Sequence, residues 1–284
     1  MQKLSALALF LLFLAIKINA TPIDTLPFKI VTKTEYNKLL DPGQLGGTIL
    51  VLNEKAATAY TNNEDGIYDP YLPASTFKIV NLLIALETGV IKDADEVVKW
   101  PGHIDTVLYG NRKDIFHDMT VREAFKVSAG WVFLQLAERV GTERYHKYLS
   151  LCGYGNENID EPIGADFWNF GALAITPLNQ LQVVRDLYYD RLPFKKEYMD
   201  KVKDIMITEQ NSLYTLHSKT GWTRVGGHNI GWWVGYVEQG DDVYFFATCI
   251  RQLIGIPGNK YFGRLRLDIT KQVLKDAGVK GLGQ

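Results

Sequence analysis

Residues 73–87 read PASTFKIVNLLIALE, and the rest of the chain has to be built around this stretch. From Ser75 onward the apolar side chains fall on every side of a helix, and Gly89 is placed to end that helix. A helix that is apolar all round is a buried helix. The segment therefore predicts a central helix that begins at Ser75 and is covered on all sides.

Lys78 does not fit the apolar character of this helix. An ammonium group is costly to bury, so we expect Lys78 to be neutralised, paired or chemically modified. Ser75 and Lys78 are three residues apart, which places hydroxyl and amine on one helix face, and the helix start offers N–H groups to an oxyanion. The pattern predicts a serine nucleophile beside a nitrogen base, although a Ser-x-x-Lys pair alone also fits a helix cap with an unrelated lysine.

The composition is that of a soluble globular chain. The 284 residues are 46% hydrophobic and 22% charged, with 31 basic against 32 acidic side chains and a net charge of −1. These values exclude collagen, coiled coil and intrinsic disorder. The balanced charge also argues against a nucleic-acid partner, so we expect a small neutral or singly charged substrate.

The N-terminus carries an uncharged run of 13 residues, 4–16, between Lys3 and Ala20. A run of that length fits the apolar core of a secretory signal, about 7–15 residues, and falls short of the ~20 that span a bilayer. We predict a signal peptide over residues 1–20, cleaved near Ala20, and a periplasmic or secreted protein without a stable membrane anchor. Lys17 leaves an uncleaved anchor as the alternative.

Strand patterns lie towards both ends of the remaining chain and helical patterns between them. We predict strands at 47–52, 56–60, 213–218, 230–238 and 243–250, and helices at 121–127, 131–140, 143–151, 178–189, 196–207 and 263–276. This order predicts an α+β fold, an antiparallel sheet flanked by helices with an inserted helical lobe. We expect a single catalytic domain over 21–284, with a sheet lobe at about 21–74 and 210–284 and a helical lobe at about 75–209.

Two further features bear on function. The stretch 153–174 has little periodicity, and long loops inside compact domains tend to be functional. The five histidines include no His-x-His or His-Glu-x-x-His spacing, so no metal site is expected. Cys152 and Cys249 could form a disulfide in an exported protein, but their positions suit buried thiols equally well.

A second candidate for chemistry is the tripeptide Lys219-Thr220-Gly221, which follows a predicted strand and precedes Trp222. A cation and a hydroxyl, with a glycine that permits close approach, suit a substrate carboxylate. Alone, the tripeptide could simply end a strand. Together with Ser75 and Lys78 it indicates a site.

These motifs occur in the order that a known family uses. The set resembles the penicillin-recognising serine enzymes, and most closely the class D (oxacillinase) β-lactamases: Ser75-x-x-Lys78, Ser128-Ala129-Gly130, Tyr154-Gly155-Asn156, Lys219-Thr220-Gly221 and the context Gly231-Trp232-Trp233-Val234-Gly235. The likeness runs from about residue 30 to about residue 277. It implies the serine β-lactamase/penicillin-binding transpeptidase fold and hydrolysis of β-lactam antibiotics through an acyl-enzyme.

The resemblance also implies roles for individual residues. Ser75 would be the nucleophile, and Lys78 the general base, carrying a carbamate formed with CO₂ and needing no other cofactor. Ser128 would relay a proton to the departing ring nitrogen. Lys219 and Thr220 would hold the substrate carboxylate, assisted by an arginine near the start of the last helix, for which Arg266 fits better than Arg264.

Other roles implied by the resemblance are less direct. The backbone N–H groups of Ser75 and Trp222 would form the oxyanion hole, and Trp168 would donate a hydrogen bond to the carbamate. Tyr154 and Asn156 would support the site or be purely architectural. Trp222 and Arg224, in a loop expected over 222–229, are candidates for contacts to the substrate's side chain. The partner would be a small β-lactam, and the protein a monomer or homodimer.

Alternatives from the same residues remain. The glutamate and asparagine of class A β-lactamases are not matched, because Glu161 is followed four positions later by Ala165, and a Gly-x-Ser-x-Gly elbow is absent. A penicillin-binding transpeptidase or carboxypeptidase would share the serine, the lysines and the acylation. A β-lactam sensor domain would be acylated and remain so.

One departure from the family generates a prediction. Class D enzymes usually carry Val, Ile or Leu two positions after the serine that matches Ser128, where this side chain helps to shield the carbamate, and this chain has Gly130. We therefore predict an activity that depends more than usual on added bicarbonate. A rate that stays unchanged when bicarbonate is depleted and restored would contradict it.

Overall fold

A mixed seven-stranded sheet forms the frame of the molecule. The computed structural model describes residues 26–159, 166–256 and 259–283. The strands are β1 (Lys29–Thr32), β2 (Gly46–Asn53), β3 (Thr58–Thr61), β6 (Ile207–Gln210), β7 (Thr215–Val225), β8 (His228–Gln239) and β9 (Asp242–Leu253), in the order β1-β3-β2-β9-β8-β7-β6. Two short strands, β4 (Val97–Val98) and β5 (Met119–Thr120), pair separately.

The sheet departs from the prediction at one edge. All neighbouring strands are antiparallel except β1 and β3, which are parallel, so the sheet is mixed rather than antiparallel. The segment 33–45, with two short 3₁₀ turns, carries the chain from β1 to β2. Because the chain then returns along β3, β1 meets β3 running in the same direction.

Eight α-helices accompany the sheet within the described residues. They are α1 (Lys78–Glu87), α2 (Thr106–Tyr109), α3 (Val121–Val127), α4 (Gly130–Val140), α5 (Thr142–Cys152), α6 (Pro177–Tyr188), α7 (Lys196–Ile205) and α8 (Phe262–Asp276). Thr120 and Thr176 cap α3 and α6, because their side chains accept hydrogen bonds from backbone N–H groups in the first turns. The predicted helices are present, most within one or two residues of their expected ends.

Three predicted boundaries were wrong. The helix expected to reach Ile207 ends at Ile205, since Ile207 starts β6 and pairs with β7. The strand expected to end at Ser218 continues to Val225, because β8 pairs with it along its whole length. The predicted loop 222–229 is therefore the end of this hairpin, which turns at Gly226 and Gly227 with positive φ angles.

The sheet separates two apolar clusters. Ile49 and Val51 of β2 point to the face covered by α8, whereas Leu50 and Leu52 point to the face covered by α6. Helix α1 lies within the second cluster, with Lys78 through Leu86 all buried, which confirms the central helix predicted from its all-round apolar sequence. The site is thus built around a helix that solvent does not reach.

Two findings concern the chain's cellular context. None of the described helices has the length and apolarity needed to cross a bilayer. Residues 1–20, the predicted signal peptide, lie outside the described residues. Cys152, at the end of α5, and Cys249, in β9, are free thiols rather than a disulfide.

Candidate active site

Ser75 lies in a tight turn rather than at the start of the α-helix. Residues Ala74–Phe77 form a 3₁₀ turn and α1 begins only at Lys78, which corrects the predicted helix start. Side chains three residues apart eclipse one another in a 3₁₀ turn, so the tighter geometry brings Ser75 and Lys78 together. Lys78 Nζ donates a 2.8 Å hydrogen bond to Ser75 Oγ.

The turn is fixed by polar contacts on three sides. The N–H of Ala74, whose φ is +50°, donates to the carbonyl of Trp168 at 2.9 Å. The Thr76 hydroxyl donates to the carbonyl of Pro73 at 2.6 Å and accepts from the Gln180 amide at 2.6 Å. These bonds join the turn to the 153–174 segment and to α6, so the Ser75 hydroxyl is held in one orientation.

Burial changes the acid–base behaviour of Lys78. Its side chain is 1% exposed, and Nζ lies 5.2 Å from the centre of the Phe133 ring on α4. Burial lowers the pKa of Lys78 to about 8, although the nearby Asp166 carboxylate acts in the opposite direction. A substantial fraction of this amine is therefore neutral near physiological pH, as expected for a group that acts as a base or reacts as a nucleophile.

Trp168 packs beneath the turn and has a free donor. Its ring is fully buried, 5.4 Å from the ring of Phe77, the residue before Lys78. Its Nε1 is buried without an acceptor among the residues that the structure describes. A buried N–H with no partner is unfavourable by itself, which fits a group that donates a hydrogen bond in the working enzyme.

Ser128 meets Lys219 at one side of the cleft. Ser128 ends α3 in the left-handed conformation, with φ +56°, and its hydroxyl accepts a hydrogen bond from Lys219 Nζ. Lys219 also donates to the carbonyl of Thr220 at 2.9 Å and is 4% exposed. Burial, together with the positive charges of Lys78 and Arg266, holds the pKa of Lys219 well below its usual range.

Strand β7 presents a free edge to Ser75. In the described residues β6 pairs with β7 only over 215–217, so the stretch from Lys219 onward faces the Ser75 turn rather than another strand. The two backbones approach closely at Gly221. A Cβ there would lie 2.9 Å from the carbonyl oxygen of Pro73 and 3.2 Å from the Thr76 nitrogen. The glycine is required because no side chain fits.

Arg266 reaches the same edge from the other side. It is 8% exposed on α8, its guanidinium donates to the Gly221 carbonyl at 2.8 Å, and burial lowers its pKa to about 10. It also lies over the ring of Trp222, at 5.8 Å. Arg264 instead points outward and pairs with Asp268 at 3.2 Å, so Arg266 is the arginine of the cleft.

The motifs line one cavity of about 520 Å³. Its walls include the predicted residues Ser75, Lys78, Ser128, Thr220, Gly221, Trp222, Arg224 and Arg266. Tyr154 and Asn156 are elsewhere: Tyr154 is buried against Phe77, and Asn156 bonds the backbone of Ala172 and Ala174. These two residues brace the 153–174 segment from outside the cavity.

Sequence reasoning missed three residues near Lys78. Tyr109 and Asn169 line the cavity, and Asp166 is 2% exposed just behind it. Asp166 lies two positions before Trp168 in a segment with no periodicity, and Tyr109 ends a four-residue helix. The only available signal was the aspartate beside two aromatic residues, Phe167 and Trp168. No cluster of potential metal ligands occurs in the described parts of the chain.

The fold and the cavity define a class of protein. Over residues 44–275 the chain matches the family described as penicillin binding protein transpeptidase domain. This family contains serine enzymes that share the S-x-x-K and K-T-G motifs, found here at Ser75, Lys78 and Lys219.

Similar proteins narrow the class. The chain is 40% identical to β-lactamase OXA-10 of Pseudomonas aeruginosa, over 77% of this chain and 81% of that protein. Among solved structures, a class D β-lactamase from Sebaldella termitidis superposes with a TM-score of 0.82 at 33% identity, covering 89% of this chain and 99% of that one. The class D β-lactamase YbXI from Nostoc gives a TM-score of 0.78 at 37% identity, covering 86% and 98%. The chain belongs to the class D β-lactamases, hydrolases of β-lactam amide bonds, as the motifs predicted.

The close approach at Gly221 generates a prediction. Replacing Gly221 with Ala should push β7 away from the Ser75 turn and lower kcat/KM for a β-lactam about a hundredfold, because small displacements of reacting groups have large effects. Val225→Ala, an exposed position on the same strand, is the control. Steady-state kinetics and thermal unfolding of both variants give the measurement; a Gly221→Ala enzyme with native kcat/KM would contradict the expectation.

Proposed function

We propose that this β-lactamase opens the β-lactam ring through an acyl-enzyme on Ser75, with Lys78 as the general base. The observation that carries the proposal is the 2.8 Å hydrogen bond between Ser75 Oγ and the Nζ of Lys78. Lys78 is buried, and its pKa is lowered to about 8. A hydroxyl within hydrogen-bond reach of an amine whose neutral form is populated near physiological pH has the geometry of an activated nucleophile.

The surroundings of Lys78 also fit its reaction with CO₂. A neutral amine is the form that combines with CO₂, and the buried Nε1 of Trp168 is a donor in need of an acceptor. When a carbamate is formed on Lys78, it supplies an oxygen base to the site. Trp168 would donate a hydrogen bond to that oxygen. The backbone hydrogen bond from Ala74 to Trp168 keeps the tryptophan next to the turn that carries Ser75.

The other residues stabilise and bind. Ser75 Oγ attacks the β-lactam carbonyl carbon and gives its proton to the base at Lys78. The N–H groups of Ser75 and Trp222 stabilise the oxyanion that forms. Ser128 passes its hydroxyl proton to the departing ring nitrogen. It then takes up a proton from Lys219, which donates a hydrogen bond to it. A water molecule then hydrolyses the ester on Ser75.

Lys219, Thr220 and Arg266 bind the carboxylate of the antibiotic. The pKa values of Lys219 and Arg266 are lowered, mainly by burial, and their mutual repulsion adds to the shift for Lys219. An anion placed between them reverses both effects, because a neighbouring negative charge favours the charged form. An anionic antibiotic therefore completes the electrostatics of the cleft. We infer that the chain acts on such substrates in the periplasm or outside the cell, after loss of residues 1–20, as a monomer or homodimer without a membrane anchor.

Turnover distinguishes this function from acylation alone. Mixing the protein with a chromogenic cephalosporin in bicarbonate buffer should give steady multiple turnover. Ser75→Ala should abolish both turnover and any initial burst, and Lys78→Ala should lower kcat/KM about a thousandfold, within the range of general bases. Ser150→Ala and Lys147→Ala, exposed on α5, are matched controls. A single burst stoichiometric with native protein would indicate a transpeptidase or a sensor instead.

The pKa of Lys78 gives a pH dependence. Below pH 8 the neutral fraction of this amine falls about tenfold per pH unit, and only the neutral amine combines with CO₂. After removal of CO₂, activity should therefore recover more slowly as the pH is lowered from 8 to 6, and the recovery rate should level off above pH 8. Stopped-time assays at a fixed concentration of dissolved CO₂ measure this rate; a rate independent of pH would contradict the assignment.

A further inference from the structure

The space beside Gly130 is already filled. Gly130 begins α4 and lines the cavity together with Lys78. A Cβ built on Gly130 would lie 3.8 Å from Cδ1 and 4.0 Å from Cε1 of Tyr109, which is ordinary van der Waals contact. A side chain at position 130 would therefore begin in contact with this ring. The tyrosine ring therefore occupies the volume in which other class D enzymes are expected to place their apolar side chain.

Tyr109 is held in this position from both ends. Its backbone ends α2, whose first turn is capped by the Asp105 carboxylate, with hydrogen bonds of 2.9 and 3.0 Å. Its hydroxyl donates to the carboxylate of Asp166. The edge of Phe170 meets the ring at 5.5 Å. A residue of a short surface helix is thus anchored to the segment that carries Trp168.

Asp166 is suited to be the anchor. Besides the Tyr109 hydroxyl, it accepts a 2.8 Å hydrogen bond from the Asn169 amide, and it is 2% exposed. Asn169 is fixed in turn, because its carbonyl accepts from the Thr223 hydroxyl of β7 at 2.6 Å. Burial raises the pKa of Asp166, while Tyr109, Asn169 and Lys78 oppose that shift. Asp166 therefore links Tyr109, through Asn169, to strand β7, which carries Lys219.

We propose that Tyr109 is a positioning residue that covers Lys78, with its ring in place of the side chain that Gly130 lacks and its hydroxyl held by Asp166. The inference rests on the proposed reaction of Lys78 with CO₂. In that reaction the amine nitrogen bonds to the carbon of CO₂ and releases one proton to solvent. In the reverse reaction a proton returns to nitrogen, the C–N bond breaks and CO₂ leaves. A cover that excludes water disfavours the hydrated ammonium form of Lys78, so it shifts the equilibrium towards the neutral amine and its carbamate.

The ring of Tyr109 changes the bicarbonate dependence expected from Gly130. The predicted sensitivity to bicarbonate assumed an open space beside position 130, and Tyr109 fills that space. We now expect the sensitivity in a Tyr109 variant rather than in the native chain. A side chain restored at position 130 should compensate for the missing ring, because both would occupy the same volume.

The test measures the carbamate directly as well as activity. The full-length native protein, Tyr109→Ala, Tyr109→Phe, Gly130→Val and Tyr109→Ala/Gly130→Val are titrated with ¹³C-labelled bicarbonate at pH 8. The ¹³C NMR signal of the lysine carbamate then gives the concentration for half occupancy. Val107→Ala is the matched control, because Val107 is on the same short helix and is 94% exposed. Circular dichroism and thermal unfolding confirm that each variant is folded.

The expected result is a rise of about tenfold in the half-saturating bicarbonate concentration for Tyr109→Ala, the ratio that corresponds to ~1.4 kcal/mol. Tyr109→Phe keeps the ring but loses the bond to Asp166, so its rise should be about threefold. The double variant should return to within about twofold of the native value, and Val107→Ala should not differ from it. Gly130→Val alone should not lower the half-saturating bicarbonate concentration, since the ring of Tyr109 already packs at this position.

Two contrary outcomes are distinct. A native protein with no carbamate signal at any bicarbonate concentration would overturn the proposed function, and this inference with it. A native signal that is unchanged in Tyr109→Ala, or a Tyr109→Ala loss that valine at position 130 does not repair, would overturn only the role of Tyr109. Should the double variant fail to unfold cooperatively, Tyr109→Leu replaces it, and a loss equal to that of alanine would overturn the cover.

Discussion

Burial of the Lys78 amine beside the Ser75 hydroxyl is the constraint on which the site depends. Burial makes the ammonium form less favourable here than in water, so the pKa of the amine falls to about 8, and the amine packs against Phe133. The helix that carries Lys78 has to be apolar on all sides to achieve this. The apolar helix at the centre of the described fold is therefore also the one that carries the reactive lysine, and the stability of the core and the reactivity of the site have a common origin.

The second requirement is a strand edge that stays open. β6 pairs with only the beginning of β7, so the part of β7 that carries Lys219, Thr220 and Gly221 can face the Ser75 turn. Gly221 permits the approach, and Arg266 supports the edge from α8 by binding the Gly221 carbonyl. Among the residues that the structure describes, burial and neighbouring cations, not acids, set the lowered pKa values of Lys219 and Arg266. This arrangement leaves their positive charge available to a ligand.

Much of this could be predicted from the sequence, and the exceptions have physical causes. The helices and hairpins follow from apolar periodicity, caps and turn residues, whereas the grouping of Ser128 with Ser75, Lys78 and Lys219 was implied by the resemblance to the class D family. The extent of β7 could not be predicted, because it is set by pairing with β8 rather than by local preference. The parallel β1 depends likewise on a distant partner.

The residues around Lys78 that the sequence did not reveal come together only through tertiary contacts. Tyr109 and Asp166 are far apart in sequence and meet only through a hydrogen bond across the cavity. Neither belongs to a motif, and neither lies in a periodic segment. The absence of a side chain at Gly130 was visible in the sequence, but the ring that replaces it was not, because a substitute for a missing side chain need not come from the same element.

The pairing of β2 with β9 has a consequence for the order of folding. It joins residues such as Gly46 and Arg251, about two hundred positions apart, so the centre of the sheet closes a very long loop. Until β8 and β9 are available, α6 lacks most of the sheet surface against which it packs, and its apolar face stays in water. The nascent chain therefore cannot complete its sheet, and is at risk of aggregation, until nearly its whole length has been made. Catalytic competence appears in one late step rather than accumulating along the chain.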